Sequence, residues 1–192
     1  MSLVRPGTYE GAIDRVVFSE EEIAAAIARL AAQIAADHAR KPLLLVGVLK
    51  GALYVVADLA RALSAVPDGP SEIRIDYICV SSYGNQARSS GEVRMVKDAG
   101  GPISGQNVVI VEDIVDNGLT LQYLSGLLRE RRPTSLKTCA LFNKPAHRSV
   151  PVPLDYIGLT CPDEFVVGYG LDYQELFRNL PYLATLRPEA LS

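Results

Sequence analysis

The spacing of apolar and polar positions divides the chain into alternating helices and strands. From Ser19, "SEEEIAAAIARLAAQIAADHAR" sets Ile and Leu at helical intervals, with Ser19 placed to cap the first turn and Glu22 three residues on. "LLLVGV" (Leu43 to Val48) is instead an unbroken apolar run, as in strands buried on both faces of a parallel sheet, and the helix-like "ALYVVADLARAL" follows at once. Ile73 to Val80, Val108 to Glu112, Leu136 to Phe142 and Leu154 to Leu159 read as further strands, with a helix over Gly118 to Glu130. Strands alternating with helices predict an α/β fold, a central and mainly parallel sheet flanked by helices. Between Ser81 and Gln106 the composition turns to Ser, Gly, Asn, Arg and Lys. That is too long for an ordinary connection, so a functional loop or flap is expected there.

Composition narrows the class. A chain of 192 residues without repeats, low-complexity tracts or a linker reads as one domain over residues 1–192. A hydrophobic fraction of 48% and a charged fraction of 21% exclude a disordered or fibrous class. With a net charge of -3 and a pI near 5.4, the chain has no general attraction for nucleic acid, and no such partner is expected. Cys79, Cys139 and Cys161 are odd in number, far apart and outside any CxxC pair, which argues against a disulfide framework or a zinc site and for a reducing compartment. The opening "MSLVRPGTYEGAIDRVVF" has no signal-peptide core, and no stretch approaches the roughly 18 apolar residues of a membrane span. A cytoplasmic protein with no membrane partner is expected.

One segment carries chemistry. "VVIVEDIVDNGLTL" (Val108 to Leu121) ends an apolar strand on Glu112, Asp113 and Asp116, then turns through Asn117 and Gly118 to Thr120. Ligands of open α/β sheets bind at the carboxyl ends of strands. The turn runs into a helix whose first N–H groups are free to hold an anion such as phosphate. Glu112 and Asp113 would then hold Mg2+ or sugar hydroxyls, either of which relieves their mutual repulsion. The bland alternative is a strand ending in solvated acids, with Asp116 capping the helix.

The full run, four apolar residues, Glu-Asp, two apolar residues, Asp, a small polar residue, Gly, any residue and Thr, resembles the phosphoribosyl pyrophosphate (PRPP) signature of type I phosphoribosyltransferases. Asn117 stands where Thr or Ser is usual, and Leu119 where some members carry Lys. "PDEFVVGYGLDYQELFRNLP" (Pro162 to Pro181) closely resembles the C-terminal segment of hypoxanthine-guanine phosphoribosyltransferases. "GVLKGA" (Gly47 to Ala52), "SSYGN" (Ser81 to Asn85) and Lys144 in "LFNKP" extend the likeness in the family's order.

That resemblance implies the type I phosphoribosyltransferase fold, with a small hood formed by the N- and C-terminal segments and a flexible catalytic loop around 81–106. It implies transfer of the phosphoribosyl group of PRPP to N9 of hypoxanthine or guanine, with Mg2+ as cofactor and a homodimer or homotetramer as assembly. By position, Glu112, Asp113, Asp116, Asn117, Gly118, Leu119 and Thr120 would hold the ribose and its 5-phosphate. Lys50, Gly51 and Arg178 would hold pyrophosphate; Lys144, Phe165, Val166 and Asp172 the purine; Glu112, Asp113 and Asp172 the metal. Asp116 would handle the proton of the base. Ser82 and Tyr83 match the catalytic loop, and a cis peptide is expected at Leu49–Lys50, an ordinary trans turn being the alternative. Read alone, Phe165 is as well explained as core and Lys144 as a solvated cation. His38 and His147 fall in no motif and are given structural roles. Two further readings stay open: a PRPP- or nucleotide-sensing regulator on the same fold, and an enzyme preferring xanthine.

Overall fold

The computed structural model describes residues 9, 11–82 and 93–191. The strands are β1 (Ile13–Phe18), β2 (Pro42–Leu49), β3 (Glu72–Ser82), β4 (Val93–Lys97), β5 (Asn107–Val115), β6 (Ser135–Asn143), β7 (Tyr156–Thr160), β8 (Val166–Val167) and β9 (Leu183–Leu186). The helices are α1 (Glu20–Asp37), α2 (Leu53–Ser64) and α3 (Leu119–Glu130). The strands form a six-stranded sheet in the order β4-β3-β2-β5-β6-β7 and a three-stranded sheet in the order β1-β9-β8. The larger sheet is parallel except for β4, which runs antiparallel to β3. Among the described residues no helix is long and apolar enough to cross a membrane.

The apolar runs form the central strands because helices cover both faces. On β2, Leu43 and Leu45 pack into the cluster beneath α1 and α2, whereas Leu44, Val46 and Val48 join the cluster beneath α3. Val109 and Val111 of β5 take the first side, Val108 and Ile110 the second. Beyond the acids this order inverts, Ile114 packing with the first cluster and Val115 belonging to the second. α1 begins as expected: the Glu22 amide donates to Ser19 Oγ at 3.2 Å, and the Ser19 amide donates to Glu22 Oε2 at 2.8 Å.

The chain leaves β2 toward β3 on one side and returns through β5 on the other. The C-terminal ends of β2 and β5 therefore diverge, which opens a crevice at the sheet's switch point. The smaller sheet is the hood, built from one N-terminal and two C-terminal strands. One expectation needs correction. The Ser81–Gln106 stretch is not loop throughout, because Val93–Lys97 adds β4 at the edge of the sheet. Tyr83 lies outside the described residues, and Ser82 is described here only as the last residue of β3.

Candidate active site

A cavity of about 290 Å3 lies at the switch point, walled by Leu49 and Gly51 on one side and by Asp113, Asp116, Gly118 and Thr120 on the other. Glu112 is buried, and burial together with the neighbouring Asp113 charge drives its carboxyl well above the ordinary carboxylate range. Burial also pushes Asp113 up to about 6, against backbone hydrogen bonds and the nearby Arg178 charge. Arg178 offsets the burial of Asp113 only in part, and no cation offsets that of Glu112 among the described residues; a cation or hydroxylated ligand would supply the missing counter-charge. Asp116 is exposed, one turn of chain further on.

The chain then turns through Gly118, whose φ of 88° places it in the left-handed region. Gly118 occupies the N-cap position of α3, and the side-chain hydrogen bond there comes from Asn117: the Leu119 amide donates to Asn117 Oδ1 at 2.9 Å. Asp116 is therefore not the helix cap. The Leu119 amide, expected to face the ligand, is already occupied, while Gly118 and Thr120 line the cavity.

Across the cavity the Leu49–Lys50 peptide is cis, as the resemblance implied. A Cβ on Gly51 would lie 1.7 Å from Asp113 Oδ2, and a Cβ on Gly170 would lie 2.1 Å from the Gly51 carbonyl oxygen. Bare backbone at both positions lets the Gly170 segment, Gly51 and the Asp113 carboxylate stack in direct contact. Tyr169 anchors that segment by donating to Asp58 Oδ2 of α2 at 2.5 Å. Arg178 donates to the Gly170 carbonyl at 2.7 Å and pairs with Asp172 at 2.7 Å, and its Nε is buried with no partner among the described residues. Lys50 pairs with Glu175 at 2.8 Å. The three carboxylates assigned to a metal do not form a ready-made ligand cluster. Among the described residues no group of three or more His, Cys, Asp or Glu is placed to hold an ion, because Asp172 is turned to Arg178.

On the other flank, Lys144 is buried beyond the end of β6 and donates to the Glu164 carbonyl at 3.0 Å, so the bland reading of a solvated cation does not hold. Val166 is buried in β8. Phe165 is not core: it is 51% exposed and meets Tyr173 edge-on, with ring centroids 5.9 Å apart. His147 pairs with Asp163, and His38 is buried at the end of α1, so neither joins the cavity.

Residues 17–174 match the family described as the phosphoribosyl transferase domain. The hypoxanthine-guanine phosphoribosyltransferase of Bacillus subtilis is 43% identical over 176 residues, which cover 92% of this chain and 94% of that protein. The chain belongs to the hypoxanthine-guanine phosphoribosyltransferase family. Solved members share the architecture and so give it the type I phosphoribosyltransferase fold. A hypoxanthine phosphoribosyltransferase from Staphylococcus aureus superposes with a TM-score of 0.90 at 40% identity, covering 98% of this chain and all of that one (100%). One from Trypanosoma cruzi superposes with a TM-score of 0.86 at 45% identity, covering 96% of each. The chain also spans 27% of the length of the bifunctional protein TilS/HprT of Listeria innocua, with 43% identity over 180 residues.

Within the phosphoribosyltransferase frame, sequence reasoning missed the residues that hold the site in shape. Asp58 is one polar position on an apolar helix, and Tyr169 reads as core. Glu175 and Arg148 lie in polar stretches with no periodic signal. Arg148 bonds backbone some thirty residues earlier in the chain, a partnership that only the parallel pairing of β5 with β6 creates.

Proposed function

We propose that this chain works in purine salvage as a pentosyl transferase, moving the phosphoribosyl group of PRPP to N9 of hypoxanthine or guanine and releasing pyrophosphate with IMP or GMP. The observation that carries this reading is the pair of raised carboxyls, Glu112 buried and Asp113 half-buried, facing a left-handed glycine turn at a helix N-terminus. Such a pair suits sugar hydroxyls and a cation, and such a turn suits a phosphate. Glu112 and Asp113 bind the ribose hydroxyls, and the turn from Asp116 to Thr120 binds the 5-phosphate. Lys50, Gly51 and Arg178 meet the pyrophosphate.

The raised carboxyls of Glu112 and Asp113 fit Mg2+, an oxygen-seeking ion, and Asp172 stands near enough for its charge to act on Asp113. Glu112, Asp113 and Asp172 would hold it together with substrate oxygens and water. When bound, Mg2+ supplies Lewis-acid stabilisation of the departing pyrophosphate. Breaking the bond at C1 leaves positive charge on the ribose, which Glu112 and Asp113 stabilise, and negative charge on pyrophosphate, which Arg178 stabilises. Lys144 donates to the 6-oxygen of the base, Phe165 covers its face, and backbone around Val166 and Asp172 reads its far edge. Asp116 manages the proton at N7 while N9 attacks. The working protein is a cytoplasmic homodimer or homotetramer, a state that light scattering reads directly.

The deciding experiment is a PRPP-dependent competition among hypoxanthine, guanine, xanthine and adenine, with Mg2+ and then with EDTA. A lysine donor leaves adenine's amino group unpaired, and such a mismatch in a buried site is worth roughly 10^4 in kcat/KM. The expected result is turnover of the oxopurines, rejection of adenine, and loss of activity in EDTA that Mg2+ restores. Comparable kcat/KM for adenine and hypoxanthine, or full activity in EDTA, refutes the assignment.

A further inference from the structure

A backbone cradle holds an anion only if its N–H groups point inward, and a trans peptide then sends the preceding carbonyls outward, where they need donors of their own. In this chain those donors come from the segment after β6. The Val115 carbonyl accepts from the Lys144 amide at 3.0 Å and from Arg148 Nη2 at 3.2 Å. The Asp116 carbonyl accepts from Arg148 Nε at 3.0 Å. The Asn117 carbonyl accepts from the Ser149 and Val150 amides at 3.0 and 3.3 Å. The same guanidinium is held by Asn143 Oδ1, with Nη2 donating at 2.6 Å, and Asn143 is the register partner of Val115. Its stem lies against Gly118, where a Cβ would come within 3.0 Å of Arg148 Cδ. Each carbonyl held outward fixes the N–H of the next residue in the opposite direction, so Arg148 sets the amides of Asp116 and Asn117. A charged donor also polarises those peptides toward an incoming anion.

We infer that Arg148 is a positioning residue for anion capture: without touching substrate, it holds the Val115–Gly118 backbone with its amides toward the 5-phosphate. The inference rests on the proposed phosphoribosyl reading, which places a phosphate at this turn. It also makes the Asn143–Val150 segment a common support for the phosphate turn and for Lys144.

The test uses Arg148→Lys and Arg148→Met in the full chain, with Arg148→Ala added for chemical rescue. Lysine keeps the charge but cannot span three acceptors at once. Calorimetry with Mg2+ measures two probes, ribose 5-phosphate for the turn and pyrophosphate for the opposite wall, alongside melting curves and steady-state kinetics. Losing hydrogen bonds from a charged donor corresponds to about 10- to 100-fold in affinity. Ribose 5-phosphate binding and KM for PRPP should worsen by that factor in both variants, while pyrophosphate binding stays within about threefold. Millimolar ethylguanidinium should restore part of the loss in Arg148→Ala. Unchanged ribose 5-phosphate affinity overturns the inference. So does an equal loss for both probes with a lowered melting temperature in Arg148→Lys, which makes Arg148 a general structural residue. Wild-type protein that binds ribose 5-phosphate but never turns over PRPP would instead sink the catalytic reading and leave the role of Arg148 standing.

Discussion

A methyl group on Gly51 would sit 1.7 Å from Asp113 Oδ2, a distance that only displacement of the carboxylate can relieve. Gly51→Ala should therefore lower kcat/KM by about 10^2 or more, the scale of a misplaced reacting group, while circular dichroism and solubility stay those of wild type. Asp116 allows a cleaner division of labour, because its side chain is exposed and bonds to nothing among the described residues. Asp116→Asn should keep PRPP affinity and lose about 10^2 to 10^4 in kcat, the range for a missing acid-base group, as single-turnover kinetics will show. Asp113→Asn should mainly raise KM for PRPP. It should also melt later than wild type at pH 8 without metal. The unfolded carboxyl ionises near 3.8 and the folded one near 6, so stability falls as pH rises through that window. A variant that melts earlier at pH 8 would contradict the burial argument.

At the scale of elements, the C-terminal end of α1 is tied to the sheet by charge. Lys137 and the Tyr156 hydroxyl donate to Asp37 Oδ2 at 2.5 and 2.7 Å, and they hold Asp37 below the usual carboxylate range. Next to it, burial and the Lys137 charge lower the pKa of His38. Both folded groups titrate below their unfolded values, so both add stability above those values that is lost on acidification. The loss should begin below about pH 6.5 for His38 and continue below about 4 for Asp37. Asp37→Asn should flatten the lower limb of a melting-temperature profile and leave the upper one. Elements with a strong period were legible: the cap at Ser19, the runs in β2 and β5, and the acid-glycine turn all form where the sequence places them. β1 was not, because "IDRVVF" mixes charge into a half-exposed strand, and β8 is too short to show a period. β4 interleaves Val93, Met95 and Val96 with Arg94 and Lys97 inside a polar stretch, at the edge of the sheet. The turn itself was readable because its chemistry is local. Its support by Arg148 was not, since a lone arginine in "PAHRS" has no local signature.

At the scale of the molecule, the hood joins the chain's extremes. β9 pairs with β1 on one edge, Ile13 opposite Leu186, and with β8 on the other, Val167 opposite Ala184. All four residues of β9 are buried, so Leu183→Ala should cost about 2 to 5 kcal/mol in urea unfolding. It should weaken base binding more than PRPP binding, since Val166 pairs with Thr185 whereas the phosphate turn belongs to the other sheet. The same pairing sets an order of assembly. Each βα unit of the large sheet closes over a short span of chain, whereas β1 must search across nearly the whole length for β9, and loop-closure entropy slows such contacts. Pulsed hydrogen exchange during refolding should protect the amides of β2 and β5 before those of Val167 and Ala184. The nascent protein would then acquire its anion-binding end first and complete its base-recognition end last, so a chain stalled late in refolding would capture phosphate compounds yet make no nucleotide.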